Sequence, residues 1–388
     1  MEEKIVNVIN GFKEVFRKEP SFYIDAGGRY EILGNHTDHN HGLCLVANAS
    51  LRVRACVAPH PTKVQIKSKG YSFFEFNCND LENDPNNPNR TLKLFQGVLF
   101  KLRELGYKVG GFSIYLQSEI PDGSGVSSSA AVESLCGFVI NHLYNKDKID
   151  DLTIAKVGKY SENVFFGKPC GLLDQIGTSF GNLNFIDFKN IDNPRIENIQ
   201  FNLPLDIFLV KSLGNHSNLT PLSAEIPSSM HEVASCFNKE VLRDVPADGI
   251  VSKIHALDLS EKKKKKALHF FIENNNVLKG KEALVNNDLE GFLNIVRASQ
   301  ASSFENINNT YVENEYDGSP QYLIDEVTEF LKDKGAARIH GGGFKGTIII
   351  FVKKEYSAEF SKFLQDKLKR FPSYKVDVSK NEYNIIDF

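Results

Sequence analysis

The chain has 388 residues, of which 41% are hydrophobic, and its formal net charge is -3. This length exceeds what one hydrophobic core usually organises, so we expect a globular protein of two domains. The slightly acidic balance gives no general attraction to nucleic acid or to an anionic membrane, and no apolar run approaches the length of a membrane helix. The residues after Met1 lack the basic-then-apolar order of a signal peptide, so we expect a cytoplasmic protein.

The first half of the chain alternates helices and strands. Apolar residues recur at helical spacing between residues 1 and 18, which predicts an amphipathic helix. Asn, Asp and Pro dominate residues 77–90, as is typical of a surface loop. Buried or alternating runs predict strands at 23–26, 43–47, 53–58 and 111–116, and helical spacing predicts a helix at 91–106.

A glycine turn runs directly into a serine-rich helix start at residues 121–131, Pro-Asp-Gly-Ser-Gly-Val-Ser-Ser-Ser-Ala-Ala. The helix is predicted because the apolar residues after Val126 fall on one helical face. Its N–H groups and dipole would attract an anion, and glycines let a phosphate approach the backbone. No Gly-Lys-Ser/Thr closes the loop, so it is not a Walker A motif. The alternative is a serine-capped helix without a ligand.

A change in composition predicts a domain boundary. Asn, Asp and Pro interrupt the pattern between residues 188 and 205, and we place the two domains at 1–195 and 196–388. Five consecutive lysines at 262–266 favour a solvated helix turn over a nucleic-acid patch, because acidic residues precede them and an apolar run follows. The second half is otherwise predicted to be helical at 230–300 and 320–334, with strands at 337–339 and 347–352 around a glycine turn.

Residues 28–42 carry many hydrogen-bonding side chains between two predicted strands. This density of polar groups suits a polyhydroxylated substrate. Three histidines and Asp38 could instead bind a metal, although their spacing matches neither the helical nor the zinc-finger pattern. A polar turn without a ligand is the third interpretation.

Two shorter segments complete the set of motifs. Residues 339–347 contain Gly-x-Gly-x-x-Gly, but a β-branched strand follows. We therefore predict a tight connection, with or without a ligand, rather than a dinucleotide-binding turn. Lys345 in this connection could reach a phosphate or point to solvent. Asp174, in Cys-Gly-Leu-Leu-Asp-Gln, is a candidate base, although such a residue is more often a cap or an ion-pair partner.

Taken in order, these segments resemble the motifs of the GHMP small-molecule kinases. Residues 28–42 are similar to the galactokinase signature Gly-Arg-x-Asn-x-Ile-Gly-Glu-His-Thr-Asp-Tyr. Residues 121–131 are similar to Pro-x-x-x-Gly-Leu-Ser-Ser-Ser-Ala, and residues 170–175 and 341–344 stand where the family has its remaining motifs. The resemblance implies a two-domain α+β GHMP kinase fold. Its N-terminal domain would be like the second domain of ribosomal protein S5, its C-terminal domain would be α/β, and the active site would lie between them.

The resemblance also implies a reaction, the phosphorylation by ATP of the anomeric hydroxyl of a hexose, with galactose as the leading substrate. The protein would be a monomer with ATP and Mg²⁺ as its cofactors. Asp174 would be the base and Arg29 the cation that keeps it ionised. Ser129 and Glu162 would hold Mg²⁺. The implied nucleotide contacts are Gly123, Ser124, Gly125, Val126, Ser127, Ser128, Ser129 and, more weakly, Ser68, and the implied sugar contacts are Asn35, His36, Thr37, Asp38, Gly171 and Ile226.

The departures from the galactokinase pattern cluster at the sugar end. Glu31 stands where Asn is usual, Asn35 where Glu is usual and His39 where Tyr is usual, and Ile226 takes the position of a second Tyr. An amide at residue 35 still bonds a hydroxyl but no longer repels an acidic sugar. One alternative is therefore another sugar, such as galacturonate or N-acetylgalactosamine. The other is a non-catalytic sugar and ATP sensor, which the retained motifs disfavour.

Overall fold

The structure, a computed structural model, describes residues 2–121, 123–213 and 220–388. Its first half contains α1 (Glu3–Phe16), β1 (Phe22–Leu33), β2 (Leu43–His60), β3 (Lys63–Ser68), β4 (Phe74–Asn77), α2 (Arg90–Glu104), β5 (Gly111–Ser118), α3 (Ser128–Asn145), α4 (Asp151–Tyr160), α5 (Leu173–Ser179), β6 (Leu183–Asp187) and β7 (Arg195–Ile199). A π-helical turn, Ser161–Phe166, continues α4. Its second half contains β8 (Leu205–Lys211), α6 (Thr220–Cys236), α7 (Ile250–His255), α8 (Glu261–Val285), α9 (Leu289–Ser302), α10 (Pro320–Leu331), β9 (Gly335–His340), β10 (Thr347–Lys353), α11 (Ser357–Lys367), β11 (Ser373–Val376) and β12 (Tyr383–Asp387).

The larger sheet joins strands from early and late in the chain. Its order is β12-β1-β2-β5-β3-β4, and β6 and β7 extend it from β2. The long strand β2 pairs with β1, β5 and β6, and β12 pairs antiparallel with β1. Helices α2, α3, α8 and α9 contribute apolar side chains such as Phe95, Leu135 and Phe292 to a core shared with this sheet. Burial of these side chains is the main stabilising force.

The smaller sheet, β11-β8-β10-β9, is buried on both faces. Alternate residues of a strand point to opposite faces. Phe208 and Ile350 pack with α10 and α11, whereas Leu209 and Phe351 pack into the core that the larger sheet uses. The two sheets are therefore joined by one continuous apolar interior.

Several sequence-based predictions are confirmed at this level. The opening helix, the helix at 91–106 and the α+β class are observed. β9 and β10 pair antiparallel, so residues 341–346 connect a hairpin and not a strand to a helix. The division at residue 195 stays a prediction, although β7 pairs with β6 and the change of sheet comes between β7 and β8.

The lysine run lies in the first turns of α8, as predicted, but it is less solvated than expected. Lys264 and Lys266 are buried. Lys262 and Lys266 pair with Glu225, and Lys263 pairs with Glu232. These contacts fix α8 against α6. Separately, none of the helices that the structure describes has the length and apolarity needed to cross a membrane.

Candidate active site

Strand β1 carries charged residues into the interior. All twelve of its residues are buried, including Arg29 and Glu31. A Cβ at Gly28 would lie 2.6 Å from Cγ1 of Val126, so glycine is what lets β1 approach the 121–131 loop. The backbone N–H of Arg29 donates to Val126 O at 3.0 Å. The sequence predicted this strand only at 23–26. The prediction was too short because the residues that continue the strand include glycines and charged side chains, which are typical of a loop.

The side chains of Arg29 and Asp174 form an ion pair. Nε and Nη2 of Arg29 lie 2.9 and 2.8 Å from Asp174 Oδ1, and Nη1 donates to Gly125 O. Asp174 lies in the first turn of α5, and its Oδ2 accepts from Ser127 Oγ at 2.7 Å. Burial raises the pKa of Asp174, but the charge of Arg29 and the Ser127 hydrogen bond outweigh burial and lower it. The carboxylate is therefore ionised and able to accept a proton.

The glycine loop leads into the N-terminus of α3. Gly123 and Gly125 have φ of +65° and +71°, which glycine adopts without strain. Ser127, the residue before α3, has φ +57°, a costly conformation for a residue with a Cβ. Ser124 Oγ is buried, and the described residues offer it no hydrogen-bond partner. An N-terminus of this kind, at a helix of 18 residues, suits an anion.

The other predicted phosphate contacts differ in what they expose. Val126 is buried in the main core, so it offers only its backbone groups. Ser128 and Ser129 form the first turn of α3. Asp122, within the same motif, lies outside the described residues.

The edge of the smaller sheet packs against this loop. Thr347, at the start of β10, donates its hydroxyl to Ser124 O at 2.7 Å. Nζ of Lys211, at the end of β8, lies 3.1 Å from the position that a Cβ would take at Gly123. Sequence reasoning missed Lys211, because no motif surrounds it. Lys345, which the sequence singled out, pairs with Glu315 at 2.5 Å.

A cleft adjoins the glycine loop on the side of β3 and β5. Its lining includes Ser68, Lys69, Tyr71, Ile120 and Val132. The last two of these residues flank the loop in sequence. Ser68, the weaker of the predicted nucleotide contacts, therefore opens onto a cleft beside the predicted phosphate site.

Ser129 lies next to a buried carboxylate, Glu162, which Gln175 links to a second one, Glu133. Ser129 Oγ donates to Glu162 Oε1 at 3.1 Å, and Lys168 Nζ lies 2.9 Å from the same oxygen. The buried amide of Gln175 donates to Glu162 Oε2 at 2.9 Å and to Glu133 Oε2 at 3.1 Å. Burial, and then the charge of Glu162, raises the pKa of Glu133 well above its ordinary value. The raised pKa favours the neutral form of Glu133.

The donor set of Ser129 and Glu162 fits Mg²⁺. This ion prefers oxygen ligands and takes one or two carboxylates together with phosphates and waters. Glu162 Oε1 already faces a positive group, the ammonium of Lys168. Within the described ranges, no group of three or more His, Cys, Asp or Glu side chains is placed to hold a metal. A metal at Glu162 would therefore take its remaining ligands from a bound nucleotide and from water.

The amide of Asn35 is committed to other protein groups. Its Nδ2 donates to Glu31 Oε1 at 3.0 Å and to Gly341 O at 2.7 Å, and its Oδ1 accepts from Asn309 at 2.9 Å. The residue is 1% exposed. Asn35 therefore links the segment between β1 and β2, residues 34–42, which we call the polar loop, to the turn between β9 and β10. Its role as a sugar contact stays a prediction.

The next three residues of the polar loop have different environments. His36 Nε2 donates to Gly342 O at 3.2 Å, and burial lowers the pKa of His36 to about 3, so the ring is neutral. The Thr37 hydroxyl is buried within 2.7 Å of Leu43 O and offers no open group. Asp38 Oδ2 lies 2.7 Å from the position of a Cβ at Gly171. Asp38 and Gly171, both predicted at the sugar, are thus neighbours.

A buried arginine holds the carboxylate that departs from the family pattern. Arg338 in β9 is 0% exposed, and its Nη2 lies 3.2 Å from Glu31 Oε1. Its Nη1 donates to Ile32 O at 2.9 Å. Burial raises the pKa of Glu31, and the charge of Arg338 opposes this. The sequence signal for Arg338 was a charge inside a predicted apolar strand, but nothing in the sequence named its partner.

The positions of Ile226 and His39 do not by themselves indicate a contact with a sugar. Ile226 is 1% exposed and belongs to an apolar cluster that includes Phe270 and Phe344. It touches the connection between β9 and β10 through this cluster, and a contact with a sugar stays a prediction. His39 lies 3.6 Å from Asp38 through Nε2 and Oδ1.

Comparison with known protein families agrees with the geometry. Residues 93–182 match the GHMP kinases N terminal domain, and residues 10–59 match the galactokinase galactose-binding signature. The chain thus carries the N-terminal domain of the GHMP kinases. The first match spans the glycine loop, α3, Glu162 and Asp174, and the second spans Arg29 and the polar loop.

Individual relatives support the same family over almost the full chain. The chain is 26% identical over 366 residues to a galactokinase of Limosilactobacillus reuteri, and the alignment covers 90% of this chain and 91% of the relative. It is 27% identical over 344 residues to a galactokinase of Lactobacillus helveticus, covering 86% of each. Its fold is like that of Lactococcus lactis galactokinase complexed with galactose, with a TM-score of 0.83, 22% identity and 99% and 100% coverage. Methanococcus jannaschii mevalonate kinase shares the fold at a TM-score of 0.66, 17% identity and 92% and 98% coverage.

Proposed function

We propose that this GHMP kinase is a galactokinase, which transfers the γ-phosphoryl group of ATP to the anomeric hydroxyl of galactose to give galactose 1-phosphate. The observation that carries the proposal is the match of residues 10–59 to the galactose-binding signature, since that segment delivers Arg29 to Asp174. The two residues meet beside the glycine loop through the bond of Arg29 to Gly125. An acceptor hydroxyl at Asp174 would therefore lie close to phosphates held by that loop.

Asp174 takes the proton of the attacking hydroxyl in this proposal. Its Oδ1 is engaged by two nitrogens of Arg29, whereas Oδ2 accepts a hydrogen bond from the Ser127 hydroxyl and, among the described residues, from no other donor. A hydroxyl turns readily, so Oδ2 is the oxygen that can accept a substrate proton. Arg29 keeps Asp174 ionised and offsets negative charge that develops on the phosphoryl group. The sugar would lie between Asp174, Asp38 and Gly171, because Gly171 lies beside Asp38 and precedes Asp174 by three residues, just before α5.

The nucleotide binds along the loop and its neighbouring cleft. N–H groups at the start of α3 hold phosphate oxygens, Lys211 adds positive charge from β8, and the base enters the cleft that Ser68 and Tyr71 line. Ser129 and Glu162 would hold Mg²⁺, which neutralises phosphate charge when bound. We also infer a cytoplasmic monomer, which gel filtration would test.

A second sugar remains a candidate because of the Glu31 and Asn35 exchange. The carboxyl group of this pair, that of Glu31, is bonded to Arg338 and buried. A neutral amide at residue 35 leaves room for galacturonate or N-acetylgalactosamine. A sensor without catalysis is disfavoured, since the base, its arginine and the Ser129–Glu162 contact are all in place.

The decisive experiment measures ATP-dependent phosphorylation of galactose, galacturonate, N-acetylgalactosamine and glucose. ADP release gives the rate, phosphorus NMR gives the phosphorylated position, and removal of Mg²⁺ by a chelator tests the metal. We expect selective formation of galactose 1-phosphate. Activity on another sugar only would replace galactose, and ATP binding with no transfer to any sugar would favour the sensor.

A further inference from the structure

Lys168 holds the oxygen that the proposed function assigns to a metal ion. Its Nζ lies 2.9 Å from Glu162 Oε1, the oxygen that also accepts from Ser129 Oγ at 3.1 Å. The second oxygen, Oε2, accepts from Gln175. Glu162 thus presents one oxygen to the site, and a side chain of the protein itself supplies the cation there.

The two partners differ in how free they are to move. Glu162 is 1% exposed in its side chain, whereas the side chain of Lys168 is 57% exposed. The backbone N–H of Lys168 donates to Glu162 O at 3.0 Å after Gly167, whose φ is +77°. The backbone of this turn is therefore anchored, while the exposed lysine side chain is far less confined by neighbours than that of Glu162.

Lys168 also lies close to the proposed base. Its charge is among the influences that lower the pKa of Asp174, so its ammonium stands near enough to act on both carboxylates. In the proposed reaction the phosphoryl group passes from the side of Glu162 to the side of Asp174. A cation paired with Glu162 is well placed for a phosphate oxygen.

We propose that Lys168 is a displaceable counter-ion. Its ammonium pairs with Glu162 while the site holds no metal, and it turns to a phosphate oxygen of the nucleotide when a metal takes Glu162 Oε1. This rests on the proposed function in one respect, the assignment of the metal to Glu162. The physical reason is that a buried carboxylate needs a positive partner at every stage.

The test uses the intact protein and Mn²⁺ as the probe, with free Mn²⁺ counted by electron paramagnetic resonance and no turnover required. Without nucleotide, Lys168→Met should bind Mn²⁺ roughly three- to tenfold more tightly than the unmodified protein, because a partly exposed competing cation is gone. At saturating Mn²⁺, ATP should bind more weakly by a similar factor, because the phosphate partner that Lys168 supplies in the metal-bound state is gone. Lys168→Arg should stay close to the unmodified protein in both assays.

The matched control is Lys375→Met. Lys375 pairs with Asp206 at 2.7 Å, and the side chains are 52% and 12% exposed, which resembles the Lys168 pair. This change should leave both affinities unaltered. If Lys168→Met binds Mn²⁺ equally or more weakly, or binds ATP as well as before, the proposal is overturned. A purely structural role would weaken both ligands together.

Glu162→Gln separates this proposal from the assignment on which it rests. If Glu162 holds the metal, this variant loses Mn²⁺ binding whatever Lys168 does. If Glu162→Gln binds Mn²⁺ normally, the metal assignment fails, and the counter-ion proposal fails with it for that stated reason. Loss in Glu162→Gln with no gain in Lys168→Met would overturn the counter-ion role alone.

Discussion

Arg29 and Asp174 are 145 residues apart in the chain, yet two nitrogens of the guanidinium converge on a single carboxylate oxygen at 2.9 and 2.8 Å. The arginine comes from a buried strand and the aspartate from the first turn of a helix. One carboxylate oxygen is thereby fixed, and the other accepts from Ser127. The pair sets both the charge and the orientation of the residue that we propose as the base.

Replacing Asp174 by Asn should abolish turnover while sparing nucleotide binding. An amide fills the same space but cannot take the hydroxyl proton, and loss of a general base costs about a hundred- to ten-thousandfold in rate. ATP affinity measured by calorimetry should stay within about twofold, since the phosphate loop is unaltered. Turnover near that of the unmodified protein would contradict the assigned role.

Removing the charge of Arg29 should change the pH dependence of the reaction. Burial raises the pKa of Asp174 and Arg29 lowers it, so in Arg29→Met the pKa should rise. The ionised base is lost as pH falls through its pKa, and a higher pKa moves that loss to higher pH. The ratio of kcat/KM in Arg29→Met to that in the unmodified protein should therefore decrease towards acid pH. Ionisation of ATP cancels in this ratio, and a ratio independent of pH would count against the prediction.

Ser127 allows the hydrogen bond to Asp174 to be separated from backbone strain. Its φ of +57° favours glycine, so Ser127→Gly should be more stable to urea than Ser127→Ala by about 1 kcal/mol. Both variants lose the bond to Asp174 Oδ2, so kcat should fall by a similar factor in each. Equal stabilities of the two variants would contradict the backbone strain at residue 127. A kcat that differs between the variants in step with their stabilities would contradict the catalytic role of the hydrogen bond.

The Glu31–Arg338 pair should be important for stability. Both side chains are buried, and removing one partner of a buried ion pair costs about 3–5 kcal/mol. We expect Arg338→Met to lose about this much in urea denaturation. The double variant Glu31→Gln with Arg338→Met should recover part of the loss, because it removes the unpaired carboxylate of Glu31 and leaves only Glu273, 4.0 Å from Arg338, without its cation. A double variant as unstable as the sum of the single changes would contradict a direct pairing.

The sequence predicted the parts of the site that are local. The glycine turn before α3 and the strand pair around residues 341–346 follow from glycine placement and from apolar spacing, which neighbouring residues determine. Arg29 and Asp174 were named through the family resemblance. Their 2.8 Å contact, and the use of Asn35 as a link to Gly341, depend on residues far apart in the chain and have no local signature.

Lys168 and Lys211 are two residues near the candidate site that sequence reasoning did not select. Neither belongs to a recognisable motif, and a surface lysine is the ordinary expectation for each. Their positions beside Glu162 and Gly123 follow from the way a π-helical turn and the smaller sheet meet α3. The lysine that the sequence did single out, Lys345, bonds to Glu315 instead.

The pairing of β12 with β1 imposes an order on biosynthesis. When the ribosome has translated β7, every strand of the larger sheet except β12 has been made. Residues 383–387 of β12, which pair with residues 22–26 of β1, are still to be translated. The growing polypeptide therefore carries an open strand edge, the kind of surface on which nascent chains associate. Closure of that edge needs a contact of very long sequence separation, which slows folding. The larger sheet, most of which is translated first, is thus completed only after the last strand of the chain has been made.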